Sequence, residues 1–368
     1  MNHKKIRAIG AIVLVALWAV LIGFSWFGPA KELSESERRP LEQWPGISVE
    51  SLLSGKFMSK FEDYTLDQFP LRDLFRQIKS LFHYNVLNQK DNNSIYLEDG
   101  YAAKLEYPLN EASLEYAIGR FTYLYEKYLK DSGSRVFMTV APDKGYYLTQ
   151  ENGYPAMDYA QMFASLQAGL PWATYVDLTD ALSYDSYYYT DTHWRQEKLL
   201  AAAGKLCEAM GVTAPKGEDF TQTALERPFY GVYYGQAALP MDPETIFIME
   251  SDLLKDCSVF DFESNSYANV YDESKLTSRD LYDVFLSGSR SLLRIENPNA
   301  ATDRELIVFR DSFGSSMVPL LVADYASVTV VDIRYISIDM LERFVDFHGQ
   351  DVLLLYSTLV LNNSTTIK

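Results

Sequence analysis

Twenty consecutive uncharged residues, from Ala8 to Phe27, constrain this chain more than any other feature of its sequence. An apolar helix of this length can cross the hydrocarbon core of a bilayer. A cleaved signal peptide is the alternative, but its apolar core is normally shorter, and Gly28-Pro29-Ala30 is a poor cleavage site. We therefore predict a cytoplasmic tip and a single transmembrane anchor in residues 1–30, and a location in the cell membrane.

Basic residues on both sides of this stretch bear on its orientation. Lys4, Lys5 and Arg7 precede it and favour an N-terminus in the cytoplasm. Basic residues at positions 31, 38 and 39 weaken that asymmetry, but long C-terminal domains are translocated largely regardless of such charges. We expect the bulk of the chain, residues 31–368, outside the cytoplasm.

Composition argues against several classes of function. The formal net charge of −17 argues against nucleic acid as a partner, because no basic patch offsets it. The four histidines and two cysteines lack the spacing of a metal site, so we predict no metal and no other cofactor. A disulfide between Cys207 and Cys257 is left open by the sequence.

Helical and extended segments alternate over residues 96–368 and predict an α/β domain. The strand candidates are continuous apolar runs, as in Leu306-Ile307-Val308-Phe309, which suits a mostly parallel sheet covered on both faces. Residues 31–95 are predicted to form a stalk and a helical region. Residues 212–290 have little helical periodicity, and we interpret them as a β-rich insertion in the α/β domain. One amphipathic helix in the 31–95 region is indicated by apolar residues at helical spacing: Leu71, Leu74, Phe75, Ile78, Leu81 and Phe82.

A candidate nucleophile follows one of the predicted strands. Ser312 comes directly after the run 306–309, where a buried strand turns into a helix. Ligands of open α/β sheets bind at such carboxyl ends, and backbone N–H groups that open a helix can stabilise an oxyanion. The sequence Asp-Ser-Phe-Gly-Ser lacks the GxSxG pattern, however, so the motif taken alone favours a serine that caps the next helix.

A candidate base lies far from this serine in the sequence. Asp191 and His193 are two residues apart, and in an extended segment positions i and i+2 face the same side. The carboxylate can then orient the imidazole and stabilise its protonated form while the other ring nitrogen activates a hydroxyl. The alternative is a helix N-cap at Asp191 and a solvated histidine.

Three further charged residues follow strand candidates. Asp143, Lys144 and Arg334 can lie on the rim of the same site, although solvated surface charge is the alternative for each of them.

Several sequence blocks together resemble the DHHW-motif family of bacterial membrane-anchored proteins. More distantly the chain is similar to the SGNH-hydrolase-like domains of alginate O-acetyltransferases. The resemblance implies an SGNH-hydrolase-like three-layer sandwich in which Ser312 is the nucleophile, His193 the general base and then acid, and Asp191 the residue that orients it. The blocks that carry it are Thr190-Asp191-Thr192-His193-Trp194, Ala141-Pro142-Asp143-Lys144, Glu296-Asn297-Pro298-Asn299-Ala300 and Arg310-Asp311-Ser312-Phe313-Gly314.

The chain departs from the family pattern at two places. Thr192 occupies the position where the family name implies a histidine. Ser287-Gly288-Ser289-Arg290 lies where the pattern implies a Gly-Asn turn, and in SGNH enzymes an asparagine there often donates to the oxyanion. We consider the Gly288 backbone or Asn297 as substitutes for that donor.

These residues lead to one preferred function and two alternatives. The preferred hypothesis is an acyl-transfer enzyme at the outer face of a bacterial membrane, an O-acetyltransferase or esterase that moves an acetyl group onto, or off, a hydroxyl of an extracellular or cell-wall polysaccharide. The resemblance implies a multispanning membrane acyltransferase as partner, because activated acyl donors are lacking outside the cell. The alternatives are a plain esterase and a non-catalytic surface protein that binds polysaccharide or supports its export.

Overall fold

A computed structural model describes residues 3–34 and 36–368. The chain divides into two compact units. The first comprises Met1–Asn93 together with Tyr234–Met241, and the second comprises Ser94–Tyr233 together with Asp242–Lys368. Each unit is described by itself.

The first unit begins with a long apolar helix and continues with shorter elements. Within the described residues, one helix is long and apolar enough to cross a membrane, over Lys5–Trp26, and a signal sequence would have the same properties. Asp67 is nearly buried and accepts two hydrogen bonds from the Arg39 guanidinium, at 2.6 and 2.8 Å. The elements are α1 His3–Phe27, β1 Leu33–Ser34, β2 Arg39–Pro40, α2 Val49–Leu53, α3 Lys56–Asp67, α4 Arg72–Asn85 and β3 Asp91–Asn92.

The second unit alternates helices and strands, as the sequence predicted. Its first half contains β4 Ile95–Glu98, β5 Tyr101–Lys104, α5 Glu111–Leu124, β6 Arg135–Ala141, α6 Lys144–Asn152, α7 Tyr159–Gly169, β7 Thr174–Tyr175, α8 Leu200–Met210 and β8 Thr221–Ala224. Helix α9 Val232–Ala237 begins in this unit and continues into the residues assigned to the first unit. The remaining elements are β9 Phe247–Glu250, α10 Asp252–Asp256, β10 Ser258–Asp261, β11 Ser266–Ala268, β12 Leu292–Glu296, β13 Glu305–Arg310, α11 Gly314–Met317, β14 Ser327–Val331, β15 Asp351–Ser357 and α12 Thr358–Leu361.

An eight-stranded sheet forms the centre of the second unit. Its strand order is β11-β10-β12-β14-β13-β15-β6-β7. The strands from β14 to β7 are parallel, and the other three join antiparallel. Neighbouring side chains of one strand enter different cores: Val308 packs with α8 residues on one face, whereas Ile307 packs with α5 and α7 residues on the other. This confirms the predicted α/β class with a mostly parallel sheet between helical layers.

The segment 212–290, predicted to be a β-rich insertion, contains four short strands separated by helices and loops. Two of them, β8 and β9, pair with each other. The other two, β10 and β11, extend the antiparallel end of the main sheet, which the sequence did not indicate. The two cysteines are free buried thiols, Cys207 in α8 and Cys257 before β10, so the disulfide left open by the sequence is not formed.

Two helices next to the candidate site are short. Helix α8 begins at Leu200, because the buried Gln196 side chain holds the preceding turn through the Met249 N–H and the Ser316 carbonyl. The helix predicted after Ser312 ends at Met317 and continues as a 3-10 turn. Proline 319 has no N–H to donate to the preceding turn, which accounts for this early end.

Candidate active site

The parallel strands end together at one edge of the sheet. The register pairs Phe309 with Val331, Arg310 with Leu355, and Ala141 with Ser357, so the loops after β13, β14, β15 and β6 leave from the same edge. Ligand sites of open α/β sheets form at this edge. Ser312 lies in the loop after β13 and is half-buried.

The turn that carries Ser312 is fixed by its neighbours. The buried Asp311 carboxylate accepts from the Phe313 N–H at 3.0 Å and from the Ser357 N–H at 2.7 Å. Gly314 allows the next helix to start close to β13, because a Cβ there would lie 2.6 Å from the Arg310 Cβ. These contacts hold the turn independently of the contact between Ser312 and the base.

His193 bridges Ser312 and Asp191. Its Nδ1 lies 2.6 Å from Asp191 Oδ1, and its Nε2 lies 2.8 Å from Ser312 Oγ. With the ring proton on Nδ1, the imidazole donates to the carboxylate and accepts from the serine hydroxyl. Asp191 is 1% exposed and His193 is 9% exposed. The three residues have the geometry of a proton relay, and their catalytic role stays a prediction.

Backbone contacts hold the Asp191 carboxylate in place. Its Oδ1 accepts from the His193 N–H at 3.0 Å, and its Oδ2 accepts from the Val232 N–H at 2.8 Å. Gly231 brings this second donor close, because a Cβ there would lie within 2.2 Å of the Thr190 backbone. The sequence did not indicate that residues 231 and 232 support the site, since they are about forty positions away from Asp191.

One further residue packs on the base. The Tyr282 ring is stacked on the His193 ring, with centroids 4.0 Å apart and an interplanar angle of 10°. Its hydroxyl donates to Ser316 Oγ at 2.8 Å, so the ring is fixed at both ends. Tyr282 lies in the segment 212–290, whose many aromatic residues gave no signal that distinguished it.

Substituting Tyr282 by leucine is expected to lower kcat for an acyl substrate by up to about 100-fold with little change in KM, because the imidazole loses the surface that fixes its plane. Tyr282→Phe keeps the ring and loses only the bond to Ser316, so a decrease of less than about tenfold is expected. Steady-state kinetics of both variants test this. Equal loss in both variants, or a loss confined to KM, would contradict a positioning role.

Neither predicted substitute for the oxyanion donor has a free group in the structure. Gly288 lies at the correct edge, but its N–H donates to the Phe285 carbonyl at 3.1 Å. Asn297 follows Glu296, which pairs with Ser327 at the start of β14. Ser327 also pairs with Glu305 at the start of β13. Asn297 therefore lies at the opposite edge of the sheet, where the parallel strands begin. Its amide donates to loop carbonyls at 3.2 and 3.3 Å. We therefore remove Asn297 from the candidate site. The sequence places Asn297 just after a strand, but it does not show at which edge of the sheet that strand ends.

The Ser312 backbone supplies a better candidate donor. The Phe313 N–H is taken by the Asp311 carboxylate, and the Gly314 N–H by the Asp311 carbonyl. For the Ser312 N–H, no intramolecular acceptor is found within residues 3–34 and 36–368. This group is the one best placed to bind an oxyanion formed at an ester of the Ser312 side chain.

The rim residues predicted from the sequence lie at this edge but are not solvated charges. Asp143 caps α6, and its buried carboxylate accepts from Gly145 N–H at 2.7 Å and from Thr358 Oγ1 at 2.6 Å. Burial raises the pKa of Asp143. Arg334 pairs with the buried Asp332 at 2.6 Å. Both residues are therefore engaged in structural contacts.

Lys144 is buried beside the segment that carries Asp191. Its Nζ donates to the Tyr188 carbonyl at 2.8 Å and lies 5.1 Å from the Tyr233 ring centroid. Burial lowers the pKa of Lys144 to about 7, against the opposing effect of the Glu244 and Asp191 carboxylates. Lys144 thus helps to hold the segment 188–191 in place through its hydrogen bond to the Tyr188 carbonyl.

The lowered pKa of Lys144 predicts how the free energy of unfolding depends on pH. Between about pH 7 and pH 9 the unfolded chain keeps the Lys144 proton that the folded chain releases, so the residue makes the free energy of unfolding rise with pH, by at most about 1.4 kcal/mol per pH unit. Denaturant unfolding of the full chain at both pH values should therefore show a smaller rise for Lys144→Met than for the parent chain. Lys198→Met, which removes an exposed lysine paired with Asp185, is the control and should leave the rise unchanged. An identical rise in Lys144→Met would contradict the prediction.

A family model and several solved structures match this chain. The DHHW family model, described as DHHW protein, matches residues 174–331, which include Asp191, His193 and Ser312. No curated protein matches the sequence. A crystal structure of a DHHW family protein from Eubacterium siraeum DSM 15702 has a TM-score of 0.62 and 23% identity, over 75% of this chain and 95% of that chain.

Two further solved proteins are similar at lower identity. The structure of Bacillus cereus PatB1 has a TM-score of 0.57 and 16% identity, over 73% of this chain and 96% of that chain. The structure of the same protein with a sulfonyl adduct has a TM-score of 0.55 and 15% identity, over 73% of this chain and 97% of that chain. The O-acetyltransferase domain of Pseudomonas putida AlgJ has a TM-score of 0.44 and 14% identity, over 73% of this chain and 92% of that chain. A TM-score this low supports no further conclusion.

The likeness to the Eubacterium siraeum and Bacillus cereus proteins extends over most of each chain and shows a shared fold. It agrees with the predicted α/β architecture with a mostly parallel sheet. The predicted resemblance to the DHHW family is likewise confirmed, with the family match lying in residues 174–331.

Proposed function

We propose that this protein is a membrane-anchored acyl-transfer enzyme with Ser312 as its nucleophile. The single observation that carries the proposal is the continuous contact from Ser312 Oγ through the His193 ring to Asp191, with distances of 2.8 and 2.6 Å. A serine hydroxyl becomes nucleophilic when a neighbouring base accepts its proton, and a buried carboxylate stabilises that base once it is protonated.

The reaction has two halves. In the first, Ser312 Oγ attacks the acyl carbon, His193 Nε2 takes the hydroxyl proton, and the C–O bond to the leaving group breaks as His193 returns the proton to it. An acyl ester of Ser312 is the product. In the second half a sugar hydroxyl attacks this ester, His193 takes its proton and returns it to Ser312 Oγ, and the acylated sugar leaves. Water in place of the sugar releases the free acid.

Support for the substrate class comes from resemblance and location. The family resemblance implies acetyl as the acyl group and an extracellular or cell-wall polysaccharide as the acceptor. The apolar helix α1 supports an anchor in the cell membrane, with the second unit outside the cytoplasm. A multispanning membrane acyltransferase would then supply the acyl group. Bacillus cereus PatB1 forms a sulfonyl adduct, and sulfonylation is a reaction of activated nucleophiles, so a similar probe is suitable for this chain.

Acetyl transfer to a sugar is the experiment that tests the proposal. The full chain in detergent is incubated with a chromogenic acetyl ester, with and without an oligosaccharide acceptor. Acetylated oligosaccharide, detected by mass spectrometry, is the expected product. Turnover without acetylated sugar would indicate an esterase, and the absence of both would contradict the proposal.

One observation favours the non-catalytic alternative. The N–H of Gly288, at the position where SGNH enzymes have an oxyanion-binding turn, is used inside its own turn. If the Ser312 N–H does not compensate, the fold would be retained without efficient chemistry. Glycan binding without turnover would then be the outcome of the same experiment.

A further inference from the structure

Helix α4 of the first unit exposes its apolar face. Six apolar residues in and next to this helix recur at helical spacing, as the sequence predicted. Such residues normally face a protein core. In this structure their exposed fractions range from 38% to 65%. They are Leu71, Leu74, Phe75, Ile78, Leu81 and Phe82.

The polar face of the same helix is the one that contacts protein. Arg72 and Arg76 pair with Glu37 at 2.5 and 3.1 Å. Arg76 also donates to the Gly235 carbonyl at 2.6 Å, and the buried Ser80 hydroxyl donates to the Ala237 carbonyl at 2.8 Å. These contacts fix the rotation of the helix. Its amphipathic pattern is therefore inverted relative to a helix that packs on a core in water.

The exposed apolar surface is continuous with the apolar helix α1. Trp26, near the end of α1, contacts Phe61 of α3 with ring centroids 6.4 Å apart. Phe61 in turn contacts Trp44, which is 54% exposed, at 5.5 Å. Aromatic residues of this kind are enriched where a membrane meets water. More apolar side chains on α2 and α3 are exposed beside them: Val49, Leu52, Leu53, Met58 and Leu66.

We propose that this surface, formed by the exposed apolar side chains of α2, α3 and α4, lies in the headgroup region of the bilayer that α1 crosses. Two observations favour lipid as the occupant: the apolar face of α4 is exposed, and the surface begins where α1 ends. An amphipathic helix with leucine and phenylalanine on one face and arginine and lysine on the other is typical of interfacial helices. The proposal rests on the membrane anchoring stated under the proposed function.

A contiguous apolar surface of this extent is unfavourable in water and marks an interaction site. Rotation of α4 cannot remove it, because the ion pairs of Arg72 and Arg76 with Glu37 would break. Burial in the boundary between headgroups and acyl chains removes the apolar side chains from water and leaves these ion pairs intact.

Fluorescence quenching by lipid tests the proposal on the full chain. Cysteine variants Ile78→Cys on α4, Leu14→Cys in α1 and Glu218→Cys in the second unit each receive an environment-sensitive fluorophore. The native Cys207 and Cys257 are buried, and burial raises the pKa of these thiols to about 12 and about 11, so they react slowly with a maleimide at neutral pH. The labelled chains are reconstituted in nanodiscs whose lipids carry a nitroxide high on the acyl chain.

The label at residue 78 is expected to lose most of its emission in these nanodiscs and to resist quenching by aqueous iodide. The label at residue 218, on a side chain that is 80% exposed, should show the opposite behaviour and is the control. If lipid quenches the label at residue 14 but iodide quenches the label at residue 78, this inference is overturned and the anchor is left intact. A label at residue 14 that lipid does not quench would overturn the anchor and the inference together.

Discussion

Replacing Ser312 by alanine is expected to lower acetyl-ester turnover by on the order of 10⁵- to 10⁶-fold, because the acyl group then has no oxygen to be transferred to. The fold should be unaffected, since the half-buried hydroxyl contacts the His193 ring and the turn is held by the Asp311 carboxylate instead. Steady-state kinetics with a chromogenic acetyl ester, together with a thermal unfolding curve for both chains, are the measurements.

Ser132→Ala is the matched control for this substitution. The Ser132 hydroxyl donates to the Leu129 carbonyl just before β6, at the edge where the parallel strands begin. Its replacement by alanine should leave turnover unchanged. Turnover in Ser312→Ala that stays within about tenfold of the parent chain would exclude Ser312 as the nucleophile, since residual catalysis without the nucleophile is far lower.

Substituting Asp191 by asparagine is expected to lower kcat by on the order of 10⁴-fold, because an amide no longer fixes the tautomer of the base or stabilises it when protonated. The carboxylate accepts hydrogen bonds from the His193 ring, the His193 N–H and the Val232 N–H. Asparagine has the same shape but can accept at one atom only, so a moderate loss of stability should accompany the loss of rate.

Asp185→Asn is the control for Asp191, because it removes an exposed carboxylate on the same stretch of chain that pairs with Lys198. It should change kcat by less than about twofold. If Asp191→Asn lowered stability but left kcat near that of the parent chain, the carboxylate would have a structural role only.

The parts of the fold that the sequence predicted are those with a strong local signal. Continuous apolar runs identified β13, β14 and β15, because parallel strands buried on both faces cannot alternate with polar residues. The position of Ser312 followed from its place after one of these runs. The contact between Ser312 and His193 joins positions 119 residues apart and came from resemblance rather than from local pattern.

The parts that the sequence missed depend on long-range contacts. Tyr282 is one of 27 tyrosines, and only the folded chain shows that its ring lies on the base. Asn297 was placed in the site because its block resembled the family, but the antiparallel direction of β12 carries it to the other edge. The apolar stripe of α4 was recognised, while its outward direction is set by ion pairs with Glu37 that no periodicity reveals.

The central claim is that Ser312 is activated by its contact with His193, and covalent labelling tests it most directly. The full chain is treated with a sulfonyl fluoride, digested, and examined by mass spectrometry. A single adduct on the peptide that contains Ser312, formed much more slowly in His193→Ala, is the predicted result. An adduct on another residue, or labelling of Ser312 at an undiminished rate in His193→Ala, would contradict the claim.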